Sequence, residues 1–211
     1  MRWSWKPRRP DRRWEWCRIY HHGAQVPTAI TFRPYGPLYR FDHHTPPFTA
    51  PDICPDGRQI LYVASNLRCA LAEVFGDIKQ PQICPNYRVA IIEPNLEIPL
   101  LNLKSAAVAM KVKALPAIAT HTSRTLTQEW AKAIYEDQPV RRGRVEGVYY
   151  GAAHTNDAAL ALWREPSWLG VSRSNTGQAA DGRLVDMQAR VEQVFRRLHM
   201  PPPEWTSTCT C

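Results

Sequence analysis

The segment Ile60-Leu-Tyr-Val-Ala-Ser-Asn-Leu-Arg-Cys-Ala-Leu-Ala-Glu-Val-Phe75 leaves the middle of the chain few conformational options. Ile60, Leu61 and Val63 make a short buried strand, because branched aliphatic side chains suit a covered pleated surface. The period then changes. Leu67, Ala70, Leu71, Val74 and Phe75 recur at helical spacing and form one apolar face. Ser65 or Asn66 can cap that helix. Two residues stand outside the packing pattern. Tyr62 carries a hydroxyl at the strand's end, and Glu73 lies beside the apolar stripe. As a core tyrosine and a solvated glutamate they need no function. A strand end feeding a helix, however, is a usual place for chemistry in a mixed α/β protein.

The same periodicities place the other elements. Trp14–Tyr20, Tyr87–Glu93, Ile98–Leu103 and Val145–Tyr150 read as strands, and Trp168–Ser172 as an edge strand. Ser105–Leu115 reads as a helix. Thr125-Leu-Thr-Gln128 matches a capping box, followed by Trp130, Ala133 and Ile134 on the apolar side of Leu126. A last helix opens at Asp181 or Gly182. It carries Leu184, Met187, Val191, Val194, Phe195 and Leu198 on one side and ends before Pro201-Pro-Pro203. Residues 42–58, rich in proline, read as loop, lid or partner-holding segment, and Ser174–Gly182 as a polar loop. There is no internal repeat. The expectation is one compact α+β domain, a mixed β core flanked by helices. Residues 1–13 would be a basic, weakly ordered arm, 14–200 the domain, and 201–211 a loose Pro/Thr/Cys tail.

Charge and cysteine usage narrow the classes. The net charge is +8, with much of the excess in the first twenty residues. That suits a polyanion, a phosphate-bearing ligand or an acidic protein partner. Trp3, Trp5, Trp14 and Trp16 interleave with these bases, an arrangement that would allow stacking on nucleic acid. No complete nucleic-acid motif follows, so tryptophans packed on the domain are favoured and direct nucleic-acid contact is not expected. No apolar run reaches the length of a membrane span. The basic N-terminus lacks the apolar stretch of a secretory signal. A cytoplasmic protein without membrane contact is expected. The six cysteines, Cys17, Cys54, Cys69, Cys84, Cys209 and Cys211, include no C-x-x-C pair, so thiols are expected rather than zinc. Adjacent histidines on a strand face opposite ways, so neither His21-His22 nor His43-His44 is read as a metal site. His43 or His44, close to Arg40, can line a ligand pocket.

Several motifs occur in a fixed order. They are Cys17-Arg18-Ile-Tyr20, Leu38-Tyr-Arg40-Phe-Asp42, Leu61-Tyr62-Val-Ala64, Ala70-Leu-Ala-Glu73-Val, and Thr122-Ser123-Arg-Thr125 just before Gln128. The ordered set resembles the RES domain, a family named for an Arg, a Glu and a Ser, over roughly residues 14–165. The resemblance implies an ADP-ribosyltransferase-like β core and an enzyme that degrades NAD+. Bacterial members are largely toxins of toxin–antitoxin pairs, so it also implies an Xre-like antitoxin that covers the cleft. NAD+ enters as substrate, with phosphate or water as acceptor and no metal. Glu73, Arg40 and Tyr62 are the implied catalytic residues. Arg18, Tyr20, Arg40, Tyr62, Ser123 and Thr125 are the implied ligand contacts. The family serine has no clear counterpart. Thr125 or Ser123 keeps a hydroxyl near Gln128, whereas Tyr149-Tyr-Gly-Ala-Ala-His154 contains no serine. Ile19 follows Arg18 where an aromatic is common.

The residue chemistry agrees with that implication. Cleaving the nicotinamide–ribose bond develops oxocarbenium-like charge, which a fixed carboxylate such as Glu73 stabilises. Guanidinium groups such as Arg18 and Arg40 clamp phosphates. A tyrosine ring such as Tyr62 stacks on a base and offers a polar tip. Backbone N–H groups of the helix starting near Thr125 suit an anion. An ADP-ribosyltransferase with a protein or small-molecule acceptor is the near alternative. A catalytically degenerate binding module using the basic Trp-rich arm is the more distant one.

Overall fold

A computed structural model describes residues 2–6, 16–140, 143–163, 166–172 and 180–209. The chain forms strands β1 (Arg2–Trp5), β2 (Cys17–His21), β3 (Tyr35–Gly36), β4 (Asp52–Ile53) and β5 (Leu61–Ala64), then helix α1 (Leu67–Phe75). Strands β6 (Gln82–Ile83), β7 (Tyr87–Pro94) and β8 (Ile98–Asn102) follow, then helices α2 (Ala106–Lys111) and α3 (Arg124–Glu136). Strands β9 (Gly147–Gly151), β10 (Ala158–Leu162), β11 (Leu169–Val171) and β12 (Asp181–Arg183), helix α4 (Gln188–Arg197) and strand β13 (Glu204–Trp205) complete it. One curled mixed sheet of nine strands runs β1-β8-β9-β10-β5-β2-β7-β11, with β12 also on β7. Only the β8–β9 pair is parallel within it. This is the α+β domain expected from the alternation of elements.

Side chains alternate across the pleat, so each strand feeds two cores. Leu61, Val63, Leu160 and Leu162 pack with Trp5, Trp16 and Phe32 on one face. Ala64, Val148, Tyr150, Ala159 and Ala161 meet Leu71, Phe75, Ala131, Val191 and Phe195 on the helical face. Burial on both faces explains why β5 and β10 read as near-continuous apolar runs. In α1, Asn66 is the cap, its side chain accepting from the Cys69 N–H at 2.8 Å. Ala70, Leu71 and Phe75 are buried, and Leu67 and Val74 pack at the margin of the core. Each fully buried Leu or Phe stabilises the fold by about 1.5–3 kcal/mol. Glu73 is half-buried, held on the helix between that core and the cleft described below.

Four expectations are changed. Arg2–Trp5 is an edge strand and not a loose arm: it pairs antiparallel with β8, Trp5 is buried, and Trp3 stacks on Tyr149 with ring centroids 4.5 Å apart. Trp3, Trp5 and Trp16 thus pack on the domain. The first helix turn after residue 120 is capped by Ser123, not Thr125; Ser123 Oγ accepts from the Leu126 N–H, and Gln128 is buried and donates to the Tyr39 carbonyl at 3.0 Å. Asp181 does not open the last helix. Its carboxylate accepts from Arg88 at 3.0 Å and from the Tyr20 hydroxyl at 2.8 Å, which fixes β12 in the sheet. The tail is docked: β13 pairs in parallel with β6, and Trp205 Nε1 donates to Glu192 at 3.0 Å. The 42–58 segment is pinned as well, because Arg58 donates to the His43 carbonyl and to Glu136, both at 2.8 Å. Residues 7–13, Trp14, most of the expected polar loop (173–179) and Cys211 lie outside the described residues.

Candidate active site

A break in the sheet creates the candidate site. β2 pairs with β7 along its whole length, Cys17 through His21, but meets β5 only at Cys17–Ala64. The Trp16 and His22 backbones bond towards β7, so Ile19, in the alternate phase, turns its peptide groups to the β5 side. From that pair the two strands diverge, β2 towards Tyr20 and β5 back towards Ile60, and a cleft of about 310 Å³ opens between them. Arg18, Tyr20, Arg40, Tyr62 and Glu73 all line it. Residues from four separate motifs therefore converge on one cavity of ligand size.

Two buried cations line the cleft. Arg18 Nη1 donates to the carbonyls of Ala29 at 2.7 Å and Thr31 at 2.8 Å. Among the described residues no carboxylate lies within ion-pair distance of it. Burial without a counter-charge pulls its pKa far below the usual guanidinium range, to about 9. Arg40 donates to the carbonyl of Ala119 at 2.6 Å and reaches that of Gly151 at 3.4 Å, while its Nε is buried without a partner. Its guanidinium lies 5.3 Å from the ring centroids of Phe41 and Tyr150. Carbonyl dipoles and aromatic faces hold both cations, and an anionic ligand would supply the missing charge.

Glu73 lines the same cleft from α1. It accepts from the Ala153 N–H at 3.0 Å and the Tyr150 hydroxyl at 3.3 Å. Burial first, then the Glu73 charge, pushes the Tyr150 pKa well above 10, so Tyr150 remains a donor. Tyr150 thus touches both Glu73 and Arg40. The end of β9 contributes a backbone N–H, at Ala153, where a hydroxyl was sought.

Tyr62 needs a correction of role. Its hydroxyl is occupied: it donates to Asp42 Oδ1 at 2.6 Å and accepts from the Phe41 N–H at 3.2 Å. Burial, reinforced by Asp42, raises its pKa well above 10. Its ring lines the cleft, and its polar tip organises the loop that carries Arg40. Asp42 is the residue that sequence reasoning missed. Its fully buried carboxylate collects Arg33 Nη2 at 2.6 Å, the N–H groups of Leu38 at 2.5 Å and Tyr39 at 3.1 Å, and Tyr62. The signal was its place two residues after Arg40, within the quoted motif. Tyr20 likewise lends its ring, with its hydroxyl on Asp181. Burial and then Asp181 push its pKa up to about 12.

Ser123 and Thr125 are exposed and absent from the lining; Thr122 and Arg124 take their place at the rim. Arg124 pairs with Asp77 at 3.1 Å, and His154 Nε2 approaches the same carboxylate at 3.3 Å. His43 and His44 are buried behind the cleft and are not among its lining residues.

None of the curated proteins searched matches the chain. Among solved structures, the M. tuberculosis MbcT–MbcA toxin–antitoxin complex is similar, with a TM-score of 0.52 and 14% identity, over 83% of this chain and 87% of that one. The RES domain profile matches residues 15–186, which include Arg18, Arg40, Tyr62 and Glu73. The chain belongs to the RES domain family.

Proposed function

We propose that the protein consumes NAD+ by cleaving its nicotinamide–ribose bond, with phosphate or water as acceptor. We further propose that it is the toxin of a toxin–antitoxin pair. The bond from ribose C1′ to the pyridinium nitrogen breaks, and its electron pair neutralises the nicotinamide ring. The acceptor oxygen bonds to C1′ and loses its proton to solvent or buffer. Glu73, held by Tyr150 and Ala153, would stabilise the positive charge that builds on the ribose. Arg18 and Arg40 would hold the pyrophosphate, and the Tyr62 and Tyr20 rings would flank the planar groups.

One observation carries this reading: a fixed carboxylate, Glu73, and two buried guanidiniums, Arg18 and Arg40, line one cavity, and among the described residues neither guanidinium has a carboxylate partner. A ligand with an anionic centre and a separate site of developing positive charge fits that polarity. Membership of the RES family and the likeness to a toxin–antitoxin complex support the broader assignment. An Xre-like antitoxin with an acidic contact face would suit the +8 charge.

The test is nicotinamide release from NAD+, with and without phosphate, by the wild type and Glu73→Gln. The amide keeps the shape and can still accept from Tyr150, but loses the charge. A fall of about 10²–10³-fold is expected. Equal rates for the two proteins would remove Glu73 from the chemistry. ADP-ribose transferred to a protein would redirect the assignment to an ADP-ribosyltransferase.

A further inference from the structure

Three residues far apart in sequence meet at the outer edge of the cleft. His21 Nε2 lies 3.0 Å from Cys209 Sγ and 3.4 Å from Cys84 Sγ, and the two sulfurs are 3.0 Å apart. All three ligand atoms fall within 4.8 Å of one another. Three different contacts bring them there. His21 ends β2, in register with Tyr87 of β7. Cys84 begins the turn into β7, its carbonyl accepting from the Tyr87 N–H at 3.1 Å. The pairing of Trp205 with Ile83, extended by the Thr206 N–H on the Ile83 carbonyl at 3.1 Å, carries the C-terminal segment past Cys84 to Cys209.

We propose that His21, Cys84 and Cys209 bind a thiophilic divalent cation, Zn²⁺ by preference. Two thiolates and an imidazole nitrogen are borderline-soft donors of the kind zinc takes in tetrahedral sites. The imidazole is what separates this from a thiol pair. Its nitrogen approaches both sulfurs, so the three atoms define one centre. The sulfur separation is not that of a disulfide, which needs about 2.05 Å. Thiolates sharing zinc, with bonds of about 2.3 Å, sit about 3.7 Å apart, so the trio opens by several tenths of an ångström around the ion. Binding releases the two thiol protons, and the two thiolates balance the charge of the cation. The fourth position is left to water or another ligand.

Such a site joins the C-terminal segment to the cleft. His21 and Tyr87 line the cavity, and the His21 ring packs edge-on against Tyr87 at 5.0 Å. Metal would fix β13 and Cys209 against that wall. Loss of the metal would leave the segment held by its short pairing with β6, including the Thr206–Ile83 backbone bond, and by the Trp205–Glu192 bond. The proposal is independent of the reaction performed in the cleft.

The experiment uses the whole chain, reduced and treated with chelator, then titrated with Co²⁺ under anaerobic conditions. The expected result is saturation at one ion per chain, with tetrahedral d–d bands and a thiolate-to-cobalt charge-transfer band that Zn²⁺ bleaches. Cys209→Ser, at a half-buried position near the chain end, should weaken or abolish the charge-transfer band. Cys84→Ser should do the same, and His21→Ala should shift the d–d bands. Cys54→Ser, remote from the trio, should leave the spectrum unchanged. Metal should also protect residues 204–209 from carboxypeptidase. No cobalt spectrum in the reduced wild type would overturn the proposal. So would an identical spectrum in Cys209→Ser, or a Cys84–Cys209 disulfide that forms in a chain taking up no metal.

Discussion

Lowering the pH should destabilise the protein through His43, by an amount that linkage defines. His43 is fully buried, its ring 4.3 Å from that of Tyr135 and 5.3 Å from that of Trp163, and neither ring nitrogen has a partner. Burial, then the neighbouring His44 and Arg58, holds its pKa well below 6.5. The folded protein therefore keeps His43 neutral while the unfolded chain takes a proton near pH 6.5. Above about pH 7 both states are neutral and the residue is silent. Below it the unfolded state binds more protons, so stability falls with falling pH until the folded pKa is reached. For one such histidine the loss at pH 5.5 reaches at most RT ln 11, about 1.4 kcal/mol. With a urea slope of about 2 kcal/mol/M, the unfolding midpoint falls by at most about 0.7 M between pH 7.5 and 5.5 from this residue alone. His44, whose pKa is also lowered chiefly by burial, adds to the slope in the same window. The assay is urea unfolding of the wild type and His43→Phe at both pH values. The phenyl ring keeps the packing on Tyr135 and Trp163 and removes the titration. The difference between the two proteins' pH slopes should equal the His43 contribution. Equal slopes would refute a buried neutral His43.

Four further outcomes follow from particular contacts. Tyr62→Phe removes one of four donors from the buried Asp42 carboxylate and should cost about 1.5–3 kcal/mol in a urea melt. Gly147→Ala should cost about 2–5 kcal/mol, because φ is +156° and a Cβ would lie 2.1 Å from the Ala161 carbonyl oxygen. Trp5→Ala should lose about 3–5 kcal/mol, a result a disordered arm would not give. Arg18→Gln should raise the KM for NAD+ by about 10–100-fold under the proposed function; an unchanged KM would place the pyrophosphate elsewhere.

The legibility of the chain divides along local and long-range physics. The β5–α1 unit was readable because its strand, its cap and its apolar face are all encoded within sixteen consecutive residues. Arg18, Arg40, Tyr62 and Glu73 were readable as a set because each lies in a short motif in the expected order. β1 and β13 were not, since a four-residue and a two-residue strand exist only through pairing with distant partners. The hydroxyl of Tyr62 was misassigned because Asp42 competes for it, and that contact spans a loop whose shape no local pattern dictates. The helix cap moved from Thr125 to Ser123 because Gln128, the supposed reciprocal partner, is drawn inward to Tyr39. The His21–Cys84–Cys209 trio was invisible to spacing rules. Its members are separated by 63 and 125 residues, and only the fold brings them together.

The single Cys17–Ala64 ladder pair between β2 and β5 makes the sheet two leaves sharing one rung. One leaf holds β1, β8, β9, β10 and β5; the other holds β2, β7, β11 and β12. Arg18 then acts as a strut. It stands on the second leaf and grips the carbonyls of Ala29 and Thr31, in a segment that Arg33 ties to Ile60 at the edge of the first. Under the proposed function, an anion that draws the guanidinium away from those carbonyls would loosen that brace. On the same reading, occupancy of the cleft would therefore bear on how the two leaves are held together.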